Sequence, residues 1–374
     1  MIQGNPLSPN INTARLGTNT MREIITSRGD GEQITLTPDE LRKDIVAGTE
    51  EAAKKGKIDA LSAEEIDHMV DIFSQPGRTV SVEPGKEVVV TDDGAGLMPS
   101  WGRPSAGHAI PISDHQALLM YERVYCGDTV GLGFPDYSYK PVKSAIGYAR
   151  SHYKAISMLT TIPLIYGSQP NMGMYYHPSG PVESPSDYLS KFEFDKAKEV
   201  QEQAAAHMKR DIMDVAESLY EVGCEAMNLD TTGSAGDADF WGCLNVVEEM
   251  KEKMPDMPVE MGMAGEMVMG LHGELTYKGE RLAGMFPHKQ IQAAEKAGVD
   301  IFGIAVNSDT GKSTPYNLSR TVTFTKAASE AASIPIHANS GMGVCGMPMT
   351  LLPPIGCSTR CAKALVEIGK ADGL

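Results

Sequence analysis

Apolar and polar positions change rhythm part-way along the chain. In the first 80 residues, Thr35-Leu-Thr-Pro-Asp-Glu-Leu41 and Leu61-Ser-Ala-Glu-Glu-Ile66 each set a hydroxyl residue before acidic residues and an apolar repeat. That arrangement predicts two helix starts. Arg78-Thr-Val-Ser-Val-Glu-Pro-Gly-Lys-Glu-Val-Val-Val-Thr91 follows, with two β-branched runs about Pro84-Gly85, and reads as a hairpin. Residues 1–115 are therefore expected to form an N-terminal extension of helices and a β-hairpin.

Beyond residue 115 short apolar runs alternate with amphipathic repeats. Strands are predicted at Thr161–Tyr166, Cys224–Asp230, Met257–Met263, Val299–Asn307 and Ile334–Asn339, with a sixth near Asp128–Phe134. Helices are predicted near 188–222, 238–254, 287–297, 316–332 and 358–369. Strand, helix, strand at this spacing gives parallel pairing through crossover helices, in an open doubly wound sheet or a closed (β/α)8 barrel. Strand ends here run into polar, Gly-rich loops such as Asp230-Thr-Thr-Gly-Ser-Ala-Gly-Asp237 and Asn339-Ser-Gly-Met-Gly343. So many decorated ends favour an α/β TIM-type barrel over 116–374, whose βα loops share one face. Gly369-Lys-Ala-Asp-Gly-Leu374 opens like the earlier helix-to-strand junctions. Counted this way, the barrel is expected to be truncated after six to seven strands.

With 33 Lys+Arg against 49 Asp+Glu the net charge is −16, which disfavours nucleic acid and anionic membrane surfaces. The charge-free stretches Ala155–Val182 and Ala331–Thr359 are broken by Pro, Gly, Asn and Ser, unlike a spanning helix. The opening MIQGNPLSPNINTARLG has neither the basic head nor the apolar run of a signal peptide, so a cytoplasmic location is expected. Six scattered cysteines without a CxxC point to reduced thiols and no metal site.

The chain has no GxxxxGK[ST], GxSxG or HExxH motif, and the glycines near Gly233 and Gly236 do not make GxGxxG. Candidate chemistry lies instead at the expected strand C-termini. Asp230, Glu260, Asn307 and His337 are the candidate acids and hydrogen-bonding groups for catalysis. Tyr166, Asn171, Thr232, Glu266 and Asn339 are candidates for substrate binding. A mouth lined with carboxylates, amides and one histidine suits amine substrates and proton transfer. Each residue type also caps loops. Tyr166 to Tyr176 could cage a methylated amine or simply pack as a loop. A Schiff-base barrel enzyme would need a lysine at a strand end, whereas Lys312 and Lys326 are expected in a loop and a helix.

Lys140-Pro-Val-Lys143, Pro170-Asn-Met-Gly-Met-Tyr-Tyr176, Leu229 to Asp237, Met261-Gly-Met-Ala-Gly-Glu266 and Val366 to Leu374, in this order, resemble the dimethylamine:corrinoid methyltransferases of methanogenic archaea. The likeness runs from about Gly31 onward. It implies transfer of a methyl group from dimethylamine to the Co(I) corrinoid of a partner protein, releasing methylamine during methanogenesis. No cofactor is then bound directly, since the partner corrinoid protein supplies the cobalamin. The family's electrophile is a pyrrolysine after a segment similar to Ala371-Asp-Gly-Leu374, which places it just after Leu374. A homo-oligomer is expected by analogy with related amine methyltransferases. Two other readings stand beside this one: a relative that demethylates another methylated amine, and an inactive amber-terminated fragment that at most binds the corrinoid protein.

Overall fold

The computed structural model describes residues 23–92, 128–131, 172–221, 223, 226–350 and 353–374. The chain enters through an antiparallel hairpin of β1 (Ile24–Ser27) and β2 (Gln33–Leu36), with Ile24 opposite Leu36. Its turn is inserted between two distant loops. The Gly29 amide donates to the Lys312 carbonyl at 2.7 Å, and the Met349 amide donates to the Gly29 carbonyl at 2.7 Å. A Cβ at position 29 would lie 2.1 Å from the Asp309 carbonyl oxygen, so only glycine lets the backbones approach this closely. The two expected helix starts are present: Thr37 opens α1 (Pro38–Gly56) and Ser62 opens α2 (Ala63–Ser74). Each forms a reciprocal capping box, with Glu40 and Glu65 respectively.

The hairpin expected about Pro84-Gly85 does not form. Only its turn exists, and the second β-branched run becomes β3 (Val89–Asp92), parallel to β4 (Asp128–Gly131). A β-branched run states that a strand exists and leaves its partner open. Here the partners come from far along the chain.

Four further parallel strands lie side by side in chain order: β5 (Met227–Thr232), β6 (Val259–Met263), β9 (Ile301–Ile304) and β10 (Ile336–Ala338). The crossovers α5 (Asp237–Lys253), α6 (Pro287–Ala297) and α7 (Thr314–Ala331) connect them. A small antiparallel pair, β7 (Thr276–Tyr277) and β8 (Glu280–Arg281), decorates the β6–α6 connection. Preceding β5 are a single 3-10 turn at Met172–Tyr175, α3 (Pro185–Leu189) and the long α4 (Phe194–Glu221); α8 (Ile355–Glu367) follows β10. Gly373 then bridges in parallel to both His337 and Val89, which brings β3 and β4 alongside β10. Strands from both sides of residue 115 thus enter the parallel pairing. The count of six to seven strands left out β3, and these pairings give the expected truncation no support. The strand expected at Thr161–Tyr166 lies outside the described residues.

The strands of this mixed α/β fold alternate cleanly. Met227, Leu229, Val259, Met261, Phe302, Ile304, Ile336 and Ala338 are buried in one continuous core with α4 to α8. Asn228, Asp230, Glu260, Gly262, Gly303 and His337 occupy the opposite parity. The register Leu229–Met261–Phe302–Ile336 aligns the apolar rows, and with them the polar ones.

Candidate active site

The polar face is built from two successive rows. Asn228 and Glu260 are register partners in the lower row, while Gly262, Gly303, His337 and Gly373 follow one another in the upper row. Glycine inside a strand has no side chain to pack and marks a place where other groups come close. A Cβ at Gly262 would fall 2.9 Å from Asp230 Oδ1 and 3.4 Å from Asn228 Oδ1. A Cβ at Gly303 would fall 3.4 Å from Glu260 Oε1. Asn228, Asp230 and Glu260 thus converge over a two-glycine floor.

Asp230 owes its position to a β-bulge. Leu229 pairs with Met261 and Thr232 with Met263, so Asp230 and Thr231 together face Gly262. Thr231 has φ 59°, an unusual conformation for a β-branched residue. Its hydroxyl donates back to the Asp230 carbonyl at 2.8 Å. Bulges and strained residues of this sort re-aim side chains beside functional sites.

His337 and Glu260 are the centre of the arrangement. The imidazole Nδ1–H donates to Glu260 Oε1 at 2.5 Å, reaching from β10 over the intervening β9 to β6, and the ring also hydrogen-bonds the Leu374 backbone. Burial opposes charge on the ring, yet the Glu260 carboxylate, the bonds to Glu260 and Leu374, and the field of Asp230 together raise the imidazolium pKa above its ordinary value. A buried histidine tied to a carboxylate in this way can hold or pass a proton near neutral pH.

Asn228 is different. It is 1% exposed, and neither its amide oxygen nor its amide nitrogen has a hydrogen-bond partner among the described residues. Leaving such groups unpaired costs about 1–3 kcal/mol each.

The structure disperses the other expected site residues. Glu266 and Asn307 form a separate cluster with the buried Arg320: Glu266 accepts from the Asn307 amide at 3.1 Å and pairs with Arg320 at 3.3 Å. Asn307 Nδ2 donates to the Ala264 carbonyl at 3.3 Å, and its own carbonyl accepts from Arg320. Both residues fasten loops to one another. Thr232 is fully buried and donates to the Leu229 carbonyl at 3.2 Å. Asn339 is half-buried, and its amide continues the sheet by donating to the Ile304 carbonyl at 2.9 Å. Tyr166 and Asn171 lie outside the described residues. Tyr175 donates to Asp211 from a buried position and stacks on His207, contacts that account for it as a packed residue. Asp237 holds the following loop through the Gly273 and Leu275 amides at 2.9 and 3.2 Å.

Sequence reasoning missed Asn228 and the glycine floor. The signal for both was the strand alternation itself, with Asn228 and Asp230 alternating with Met227 and Leu229, and single glycines inside β6 and β9. Burial pushes the Cys243 and Cys361 thiols up, and Cys345 up to about 12, so none of these three is a ready thiolate. Among the described residues no group of three or more His, Cys, Asp or Glu side chains could hold a metal ion, and no helix is long and apolar enough to cross a membrane.

The model of a protein family described as dimethylamine methyltransferase (Dimeth_PyL) matches residues 22–374. The chain belongs to that family. Its members are methyltransferases, and this chain carries the family pattern through the strands that build the polar face. Solved structures are far more distant. A psychrophilic family 10 endo-β-1,4-xylanase is 13% identical with a TM-score of 0.37, covering 73% of this chain and 88% of its own. The δ-aminolevulinic acid dehydratase of Toxoplasma gondii ME49 is 13% identical with a TM-score of 0.36, covering 92% of this chain and 86% of its own. At that distance neither carries an argument about this chain.

Proposed function

We propose that the protein transfers a methyl group from dimethylamine to the Co(I) corrinoid of a partner protein, releasing methylamine, and that the Glu260–His337 pair with Asp230 forms its amine site. The observation that carries this reading is the partly buried 2.5 Å bond between Glu260 and His337 above a floor of two glycines. Two carboxylates in a small buried space prefer a cationic N–H donor over an anion or a neutral apolar ligand. Glycine at 262 and 303 keeps that space open for a compact molecule.

An amine is a poor leaving group, so its nitrogen must be fixed and charged before a methyl group departs. Asp230 and Glu260 would orient the N–H groups, and His337 would hold the proton that passes to or from the nitrogen through Glu260. The resemblance calls for pyrrolysine, and its imine, where present, supplies an electrophile that holds the amine. The acid-rich, glycine-floored face fits such a basic ring. The corrinoid arrives as a substrate on its own protein.

The sheet order supports a (β/α)8 barrel for the catalytic region, because β5, β6, β9 and β10 follow in chain order and Gly373 joins β10 to β3. A cytoplasmic homo-oligomer completes the proposal. The test is conversion of Co(I) to methyl-Co(III) in an added corrinoid protein, followed by its absorption spectrum. Dimethylamine should drive it faster than methylamine or trimethylamine. Equal rates with Glu260→Gln, His337→Gln and the unaltered protein would overturn the assignment of the site.

A further inference from the structure

We propose that Asn228 is a ligand-binding residue of this site, whose amide oxygen accepts an N–H from a small alkylammonium ion while its amide N–H groups face the neighbouring carboxylates. The inference rests on the inner face being the amine site and adds a contact that neither the sequence nor the family assigns.

Three observations lead to it. Asn228 lies in the same register position as Glu260 on the adjacent strand, so the two side chains emerge side by side. Its Oδ1 and that of Asp230 approach the same empty point above Gly262, at 3.4 and 2.9 Å. Both amide atoms are sealed from solvent and unbonded among the described residues, although nearly all buried polar side-chain atoms in folded proteins find a partner. An asparagine amide offers an acceptor and two donors whichever way it is turned. Beside two carboxylates, its N–H groups are drawn to Asp230 and Glu260, which turns the oxygen toward an incoming donor.

This donor set discriminates by the number of N–H groups on the ligand. The carboxylates can take one N–H by charge alone. A second N–H, present in methylammonium and dimethylammonium, satisfies Asn228. Trimethylammonium has only one N–H and tetramethylammonium has none, so each leaves the amide unpaired. A site built to bond a polar group rejects the analogue lacking it more strongly than a hydrophobic pocket rejects a change of size.

The experiment is calorimetric titration of the full protein with dimethylammonium chloride and with tetramethylammonium chloride, alongside thermal unfolding without amine. Asn228→Leu keeps the volume and removes both polar ends. It should weaken dimethylammonium binding about 10- to 100-fold, leave tetramethylammonium unchanged, and hold or raise the unfolding temperature. Unchanged dimethylammonium binding, or a lowered unfolding temperature with binding intact, would overturn the proposal, the latter marking Asn228 as a structural group bonded to water. Should the leucine variant fail to fold, Asn228→Asp decides: it retains an acceptor and should bind dimethylammonium at least as well, whereas a tenfold loss counts against the proposal. Glu260→Gln separates the two levels. If it silences methyl transfer while Asn228→Leu binds normally, only the role of Asn228 falls; if it transfers methyl groups at the original rate, the whole amine site falls.

Discussion

Two regions of the molecule bury polar side chains and treat them in opposite ways. Where α1 crosses α7, Gly48 allows such close contact that a Cβ there would lie 2.2 Å from the Tyr316 carbonyl oxygen. The hydroxyls lining that crossing are all engaged. Ser319 donates to the Ile45 carbonyl at 2.7 Å, Thr323 donates to the Ser319 carbonyl at 2.7 Å and its hydroxyl lies 2.8 Å from that of Thr49, and Thr49 accepts from the Leu61 amide at 2.8 Å. On the polar face of the sheet, by contrast, an amide is left unbonded among the described residues, two carboxylates converge, and a threonine is held at positive φ. Complete pairing suits hydroxyls that hold two helices together, and the unmet need of the Asn228 amide, beside two converging carboxylates, supports its assignment to a ligand.

Substitutions should separate the two regions by what they damage. The largest effect belongs to Glu260→Gln, which keeps the shape but removes the charge beside His337; methyl transfer should fall about 10²- to 10³-fold with little change in unfolding temperature. Next is the glycine floor. Gly262→Ala drives a methyl into the Asp230 carboxylate, a movable side chain, so kcat/KM should fall about 10- to 100-fold while the protein stays folded. Gly303→Ala meets the Gly262 backbone at 2.8 Å and should lower stability as well, measurable in denaturant titration. If both variants unfold alike, the floor is structural and the contrast between regions weakens.

In the α1–α7 crossing, Thr323→Val deletes one donor and should cost about 1 kcal/mol of stability with turnover unchanged. The smallest effect concerns pH. The folded-state pKa of His337 lies above its ordinary 6.5, so protonation favours the folded state. That stabilisation is fully present below about pH 6.5 and is lost as pH rises through the folded pKa. Unfolding measured from pH 5.5 to 8.5 should show this slope, and Glu260→Gln should flatten it. A slope that survives the substitution would assign the titration to another group.

Much of this could be read from residue order. The capped starts of α1 and α2, the five long helices from α4 to α8 and the strands β5, β6, β9 and β10 follow from periodicity and turn residues, because those signals are local. The destination of Val88 to Thr91 was not legible, since a β-branched run looks the same in a hairpin and in a parallel sheet. Pairing of Glu260 with His337, 77 residues apart, depends on the register of β6 and β10 on the one intervening strand, β9, and has no sequence signature. Asn307 and Glu266 misled for a related reason. Polar residues at strand ends attract attention, but Arg320 in the middle of α7 is what claims them.

The N-terminal hairpin and α1 carry a consequence for how the protein is made. Ser27 accepts a hydrogen bond from Thr314, 287 residues later, and Thr49 meets Thr323 across 274. At roughly 5–20 residues per second of synthesis, that interval lasts about 15–60 s. For all of it, Leu41 and Ile45 of α1 wait on the ribosome without the helix that covers them, a stretch of nascent chain suited to a chaperone's grip. Truncated nascent chains stopped before α7 should therefore hold their N-terminal segment open to protease, and chains carried past it should become resistant together.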